Sequence, residues 1–181
     1  HLPGTLSRLV AGNFDADGAD ELAGLTNAGQ IWVTTNMSTW DNIPGILSQL
    51  VVGEFNGDPS DGKELAGRTS AGQIYYTPDL SSWVQIRGTL QQLVAGNFNN
   101  SVNSELVGID STGKIYLTED LANWRVIPGR LSYLVAGNIN NSGIDDLAGL
   151  TTAGQIYYAT NLSNWVNIPG RLDHLAVLKG N

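Results

Sequence analysis

Oxygen-bearing side chains recur at short intervals in one loop near the start of the chain. Asn13, Asp15, Asp17 and Glu21 surround Gly18 in the run GNFDADGADEL. Carboxylate and amide oxygens at alternating loop positions can bind a hard divalent cation, and a glycine lets such a loop turn sharply. The same residue types also cap turns by accepting hydrogen bonds from the backbone. The loop therefore allows two interpretations, cation binding and turn capping.

Three equivalent loops follow along the chain, and they are less suited to a cation. The second, EFNGDPSDGKEL, keeps Glu54 and Glu64, but two additional residues move its glycine out of register. The third, NFNNSVNSEL, keeps only Glu105 as a carboxylate and has Val102 in place of glycine. The fourth, NINNSGIDDL, offers amides and a hydroxyl instead of acids. Because ligand charge sets calcium affinity, we do not expect a cation in the third and fourth loops.

Residue types that perform catalysis are scarce and are not repeated. Histidine occurs only at His1 and His174, cysteine is absent, and the chain has no H-E-x-x-H motif and no phosphate-binding loop. The carboxylates that recur are explained as turn or metal groups rather than as a paired acid and base. We therefore expect that the protein is not an enzyme.

Composition narrows the range of partners. The formal net charge of −8 is the wrong sign for a surface that follows nucleic-acid phosphates, so we expect no nucleic-acid partner. No apolar run approaches the roughly 18 residues that span a bilayer, so we expect no membrane insertion. The chain begins inside a repeat and without Met, which suggests a processed chain, an excised domain or an engineered product.

The elements that must position these residues come from an internal repeat. The unit from Gly129 to Pro169 recurs from Gly4, Gly45 and Gly88, with a period of 41 residues that is 43 once. A fixed period of this size is typical of propellers and solenoids. The repeats cover 4–44, 45–87, 88–128 and 129–169, with a partial repeat over 170–181.

Each repeat contains four short segments typical of β-strands. In the first repeat these are LSRLVAGNF, ELAGLT, QIWVTT and the segment around WDNIPG, rich in β-branched and aromatic residues. Four strands per repeat is the unit of a β-propeller. We predict an all-β propeller of four-stranded antiparallel blades, forming a single domain over 1–181, with an extra strand over Leu172 to Leu178.

The first repeat also resembles a known family. GNFDADGADELAGL is similar to the FG-GAP (VCBS-like) repeat of integrin-type propellers and of fungal and bacterial lectins with the same blade type. In that family a loop of pattern D-x-D-x-D-G-x-x-D binds calcium. The resemblance implies a structural calcium held by Asn13, Asp15, Asp17, the Ala19 carbonyl and Glu21. The leading Asn and the closing Glu depart from the family pattern.

A second resemblance lies in the turn before the fourth strand. The pattern T-x-[DN]-L-x-x-W is similar to the Asp-box of sialidase propellers, although it is one residue shorter between the acid and the Trp. This similarity implies a structural role for the acids or amides that hold the turn, which are Asn36, Asp79, Asp120 and Asn161. It favours packing between blades over a sugar platform for the tryptophans, which are Trp40, Trp83, Trp124 and Trp165.

Binding is the function that remains, and two classes stay open. A lectin would present one small pocket several times and gain from multivalency. Its sugar contacts would come from flat aromatics beside amides, which are Trp32, Tyr75, Tyr116, Tyr157, Gln30, Gln73 and Gln155. The same aromatics could equally pack the blades. The alternatives are a protein-binding or adhesion module of a larger extracellular protein, and an engineered repeat scaffold.

The uniformity of the repeats favours the lectin interpretation, with glycans as partners. Both the lectin and the adhesion interpretations imply an extracellular or cell-surface location. Four complete blades with one additional strand could leave apolar faces open at the terminal blades. For that reason we also predict self-association.

Overall fold

Sixteen short β-strands make up the described part of the chain, which is residues 5–176 of a computed structural model. They form four antiparallel sheets of four strands, and in each sheet the strands neighbour one another in chain order. No helix occurs in residues 5–176, and so none there is long and apolar enough to cross a membrane. The predicted all-β fold of four-stranded blades is confirmed.

The same four strand positions repeat in every blade. Blade 1 contains β1 (Leu6–Gly12), β2 (Glu21–Thr26), β3 (Gln30–Thr34) and β4 (Asp41–Ile46). Blade 2 contains β5 (Gln49–Gly53), β6 (Glu64–Arg68), β7 (Gln73–Thr77) and β8 (Val84–Thr89). Blade 3 contains β9 (Gln92–Gly96), β10 (Glu105–Ile109), β11 (Lys114–Thr118) and β12 (Arg125–Arg130). Blade 4 contains β13 (Tyr133–Gly137), β14 (Asp146–Leu150), β15 (Gln155–Ala159) and β16 (Val166–Arg171).

A tight turn joins the second and third strands of each blade. In blade 1 the Gly29 amide donates to the Thr26 carbonyl at 2.9 Å, and the Gln30 amide donates to the Thr26 hydroxyl at 3.1 Å. Gly29 has a φ of 80°, a conformation that glycine adopts at little cost. The glycine that NAGQ and its three equivalents place third in the turn is therefore required by the backbone.

The chain divides into two compact units, each with two blades. Unit 1 is His1–Thr89 and contains blades 1 and 2, and unit 2 is Leu90–Asn181 and contains blades 3 and 4. Each unit has its own apolar core, in which Leu25 of β2 contributes beside Leu50 of β5, and Ile109 of β10 contributes beside Leu134 of β13. The two blades of a unit therefore pack against each other. The single domain over 1–181 stays a prediction.

Close approach between the blades of a unit depends on glycine in the first strand. A Cβ added to Gly12 would lie 2.5 Å from Cγ1 of Val52 on β5. A Cβ added to Gly96 would lie 2.8 Å from Oδ2 of Asp145. Real Cβ atoms do not approach other atoms so closely, so these two positions admit only glycine without a shift of the neighbouring blade.

Two predicted boundaries need correction. The fourth strand of each blade extends two residues past the predicted repeat end, as β4 does in reaching Ile46, because Ile46 pairs with Gln30 after a bulge. The extra strand predicted over Leu172 to Leu178 is wrong for its described part, since residues 172–176 form no strand and 177–178 lie outside the described residues. Self-association stays a prediction.

Candidate functional site

The loop between β1 and β2 gathers three carboxylates. Oxygens of Asp15, Asp17 and Glu21 all lie within 4.8 Å of one another. Asp15 and Asp17 are exposed to solvent, whereas Glu21, at the start of β2, is 3% exposed. Like charges at this separation repel one another, so the arrangement favours a bound cation.

Backbone hydrogen bonds hold these carboxylates in place through one oxygen each. Glu21 Oε2 accepts from the Phe14 amide at 2.8 Å, Asp15 Oδ1 accepts from the Asp17 amide at 3.1 Å, and Asp17 Oδ1 accepts from the Ala19 amide at 2.8 Å. The second oxygen of each carboxylate takes no part in these bonds. Turn capping and cation binding are therefore compatible in this loop.

Asn13, at the start of the same loop, has an unsatisfied side-chain oxygen. Asn13 Oδ1 is buried and accepts no hydrogen bond from the described residues. A buried acceptor without a partner costs roughly 1–3 kcal/mol. A hard cation would satisfy this oxygen together with the carboxylates, so the residues fit calcium. The geometry does not test the Ala19 carbonyl, and calcium itself stays a prediction.

The equivalent loop of blade 3 satisfies its polar groups internally. Asn97 Oδ1 accepts from the Asn100 amide at 2.7 Å, and Asn97 Nδ2 donates to the Ser101 carbonyl at 2.6 Å. The Ser101 hydroxyl lies 3.1 Å from Glu105 Oε1, to which it donates. Glu105 Oε2 accepts from the Phe98 amide, as Glu21 does from Phe14. This loop is closed by its own hydrogen bonds.

The loop of blade 2 holds two buried glutamates. Glu64 Oε2 accepts from the Phe55 amide, and Glu54 Oε2 lies 3.8 Å from Lys63 Nζ. Burial, with a smaller contribution from the negative charges of Glu54 and Asp61, raises the pKa of Glu64 to about 7 against the opposing effect of the hydrogen bond from Phe55. This carboxyl is therefore partly protonated near neutral pH.

The carboxylate at the start of each second strand has one shared structural role. In blade 4, Asp146 Oδ2 accepts from the amides of Ile139 and Asn140 at 2.9 and 3.0 Å. Glu21, Glu64 and Glu105 accept in the same way in the other blades. All four acids are buried. Their recurrence is explained by loop geometry, in agreement with the absence of a paired acid and base from the sequence pattern.

A cavity of about 240 Å³ lies at the junction of blades 1 and 2 in unit 1. Tyr75 of β7 and Trp83, just before β8, form its aromatic wall. The rest of its lining consists of Gly45, Ile46, Leu47 and Thr69. An aromatic wall beside a hydroxyl and backbone groups can hold a small ligand that has one flat apolar face.

Trp83 is fixed in this wall by a contact between the two blades. Its Nε1 donates to the Pro44 carbonyl of β4 at 2.8 Å, and Gly45 leaves room for the ring. In unit 2, Trp165 Nε1 donates to the Pro128 carbonyl in the same way, at 2.6 Å. The predicted packing of these tryptophans between blades is confirmed for Trp83 and Trp165, and it stays a prediction for Trp40 and Trp124.

The same junction in unit 2 has a more polar cavity, of about 380 Å³. Leu131 and Thr151 correspond to Leu47 and Thr69 of unit 1. The cavity also reaches Asp110, Thr112 and Arg130, and Arg130 Nη1 donates to the Thr112 carbonyl at 2.8 Å. One position in the repeat thus forms cavities of different chemistry in the two units.

The predicted sugar-binding residues have different surroundings in different blades. Tyr75 lines the unit 1 cavity, and Tyr157 packs beside Trp165 against the unit 2 core. Tyr116 donates its hydroxyl to Asp110 Oδ2 at 3.3 Å, which with burial raises the pKa of Tyr116. Trp32 is half-buried, and its Nε1 is buried without a hydrogen-bond partner among the described residues. The amide side chains stay exposed, namely Gln30, Gln73 and Gln155.

Trp83 is a site residue that the sequence pattern assigned to packing alone. The pattern shows that a Trp recurs eight residues after Tyr75 and after Tyr157. It does not show that the two rings meet at a cavity. The eight-residue spacing could have indicated that the two aromatic residues belong to one site. Only the packing of the two blades places both of them at one cavity.

Comparison with known proteins identifies the family. The family model of the tectonin domain matches residues 13–180, which is most of the chain and includes every strand except β1. The chain belongs to the tectonin-domain family. Tectonin domains form a lectin-like, non-catalytic family of β-propellers. No curated protein matches this tectonin-domain chain. The predicted membership of the FG-GAP (VCBS-like) repeat family in particular is not shown.

Proposed function

We propose that this tectonin-domain protein binds carbohydrate without catalysis, through weak sites repeated at the junctions between blades. The observation that carries the proposal is the unit 1 cavity, in which Tyr75 and Trp83 form one wall. Aromatic faces pack against the C–H face of a sugar ring, and the Thr69 hydroxyl beside them can bind a sugar hydroxyl. Membership of a lectin-like family supports the same class of ligand.

Single sites of this kind bind weakly. A monosaccharide buries little area, so we expect a Kd of roughly 0.1–10 mM for each site. In unit 2 the repeat places Tyr157 and Trp165 at the positions equivalent to Tyr75 and Trp83, where they would supply a second site. Two sites on one chain would raise the avidity for a branched glycan or a cell surface. This mode of binding fits a protein that acts outside the cell or at its surface.

The test is a titration of the protein with glucose, galactose, mannose and N-acetylglucosamine, followed by NMR chemical shifts and by a glycan array. We expect shifts at β7 and at the turn before β8, and Tyr75→Ala should weaken binding at least fivefold. Tyr76→Ala is the matched control, because Tyr76 lies on the same strand with its side chain on the opposite face. Equal sugar binding by the two variants, or a glycan array without any bound glycan, would contradict the proposed sugar site and favour the protein-binding alternative.

We also propose that one structural calcium binds the loop of blade 1, through Asn13, Asp15, Asp17 and Glu21. The buried and unsatisfied Asn13 Oδ1 and the three clustered carboxylates support this assignment. The ion would connect the loop to the start of β2 and leave the sugar sites unchanged. Titration calorimetry with CaCl2 should find one site per chain, and the absence of heat at millimolar calcium would exclude it.

A further inference from the structure

A second cavity of unit 1, of about 300 Å³, lies between the first strands of its two blades. Its lining consists of Arg8, Leu9, Val10, Gln49 and Leu50. None of these residues lines the cavity that contains Tyr75 and Trp83. The volume lies at the lower end of the range for small-molecule sites, which is roughly 300–1,000 Å³.

Two guanidinium groups lie in or next to the wall of this cavity. Arg8 lies in its wall, and Arg68 is connected to the wall because its Nε donates to Gln49 Oε1 at 3.2 Å. Arg68 is held from the other side by Nη1, which donates to the Thr69 carbonyl at 3.2 Å. Burial lowers the pKa of Arg68, and the positive charge of Arg8 lowers it further. The two cations are therefore close enough to repel each other.

No carboxylate of the described chain neutralises this pair. The ion pairs of Lys63 with Glu54 and of Arg125 with Glu119 involve neither arginine of this pair. Two like charges at the rim of a cavity are stabilised by an anion between them, and guanidinium groups bind oxyanions through two parallel hydrogen bonds. The cavity is thus suited to an anionic group.

Both arginines are departures from the repeat. Arg8 stands where the other blades have Gln49, Gln92 and Tyr133. Arg68 stands where the other blades have the buried aliphatic residues Leu25, Ile109 and Leu150. An aliphatic side chain would serve packing better, because partial burial of a charge costs free energy. Blade packing therefore does not explain why the two cations meet in this unit.

We propose that the cavity between β1 and β5 binds the carboxylate of an acidic sugar, such as a uronic acid, between Arg8 and Arg68. The sugar ring would lie against the apolar wall formed by Leu9, Val10 and Leu50. A singly charged carboxylate is favoured over a phosphate group because the net charge of −8 repels a doubly charged ligand more strongly. The choice of a sugar as the carrier of the carboxylate rests on the proposed function.

The experiment compares glucuronate with glucose, which has the same ring but no carboxylate. Titration of the full chain with sodium glucuronate should shift the NMR signals of β1 and β5 with a millimolar Kd, while glucose leaves these signals unchanged. Arg8→Gln and Arg68→Leu should each weaken glucuronate binding at least fivefold. Each variant introduces a residue that other blades carry at that position, so both should fold. Arg125→Gln, which removes the same charge in unit 2, should bind as the unmodified chain does.

Several outcomes would overturn the proposal. Unchanged glucuronate affinity in the Arg8→Gln, Arg68→Leu double variant would exclude the site. Sodium acetate or inorganic phosphate binding as tightly as glucuronate would exclude a sugar as the carrier. Tyr75→Ala separates the two sites, since it should weaken neutral-sugar binding at the unit 1 junction at least fivefold and leave glucuronate binding intact. Loss of both in Tyr75→Ala would refute an independent acidic-sugar site, whereas neutral-sugar failure alone would refute only the junction site.

Discussion

The loops between the first and second strands of blades 1 and 3 have the same length and share one left-handed residue, yet their polar groups are satisfied differently. Ala16 and Asn100, at equivalent positions, have φ values of 61° and 63°. In blade 3 the Ser101 hydroxyl donates to Glu105, and the Asn97 oxygen accepts from the backbone. In blade 1 three carboxylates cluster, and the Asn13 oxygen has no hydrogen-bond partner among the described residues. The loop of blade 3 supplies its own hydrogen-bond donors, whereas the loop of blade 1 leaves the Asn13 acceptor without one.

The same contrast between the units extends to their cavities. The junction of unit 1 has an aromatic wall, whereas the junction of unit 2 reaches a charged and hydroxylated set. The contact that creates both junctions, a Trp that donates to a Pro carbonyl of the preceding blade, is the same. The comparison teaches that the blade contact is the constant part of the repeat, and that loops and rim residues carry the differences.

The constant part should respond equally to mutation in both units. Trp83→Ala and Trp165→Ala should each lower the free energy of unfolding by about 3 kcal/mol or more, because each removes a large apolar contact between blades and leaves a carbonyl unpaired. Urea denaturation measures the loss. A large loss in one unit and none in the other would contradict a common blade contact.

Calcium should separate the two loops. We expect it to raise the melting temperature, with a stabilisation of about 2.7 kcal/mol when free calcium is about 100 times Kd. Asp15→Ala with Asp17→Ala should abolish the rise, and the equivalent double variant Asn99→Ala with Ser101→Ala should retain it. A calcium response that survives the first variant would place the ion elsewhere.

The raised pKa of Glu64 predicts a pH dependence that belongs to unit 1. Its value of about 7 in the folded chain exceeds the ordinary value of 4.5, so its stabilising contribution is complete below about 4.5 and is lost as the pH rises through 7. Glu64→Gln keeps an acceptor for the Phe55 amide but carries no charge. It should raise stability at pH 8 by roughly 1–2 kcal/mol relative to the unmodified chain and flatten the profile between pH 5 and 8.

Glu105→Gln is the control for that profile. Burial also raises the pKa of Glu105, which receives a hydrogen bond from Ser101 that favours the charged form. We expect Glu105→Gln to flatten the pH profile of stability less than Glu64→Gln does. The melting temperature at each pH measures the profile. A larger effect from Glu105→Gln would contradict the assignment to Glu64.

The smallest effect concerns the turn before the fourth strand. Thr77 and Thr118 donate to Asp79 and Asp120, whereas the buried Thr34 hydroxyl, two residues before Asn36, has no hydrogen-bond partner among the described residues. Asn36→Asp should add that bond and raise stability by up to about 1 kcal/mol. Asn161→Asp is the matched control, because Ala159 stands where the threonine would be, and it should gain nothing. Equal melting temperatures for the two variants would refute this explanation.

The acids in the turn before the fourth strand show which part of the structure could be predicted from the sequence pattern. Asp79 accepts from the amides of Ser81 and Ser82, and these bonds hold its pKa well below its ordinary value. The structural role implied by the Asp-box similarity is therefore seen in the geometry, because a side chain that binds the backbone two or three residues on depends only on local sequence. Neither the cavity lined by Tyr75 and Trp83 nor the proximity of Arg8 to Arg68 could be predicted in this way, because the residues involved lie on different strands or blades.

The sequence by itself determined the repeat, the four-stranded blade and the glycine of the tight turn, since period, strand propensity and positive φ are local properties. The tertiary structure alone decided which oxygens lack hydrogen bonds among the described residues, which aromatic residues line one cavity, and which like charges come near each other. These depend on the packing of side chains from different blades. Repeats that are nearly identical in sequence thus acquire different surroundings, as Leu50, 7% exposed, and its equivalent Leu9, 57% exposed, demonstrate. The difference arises because one packs within the core and the other lies on the open side of blade 1, a distinction that no single repeat encodes.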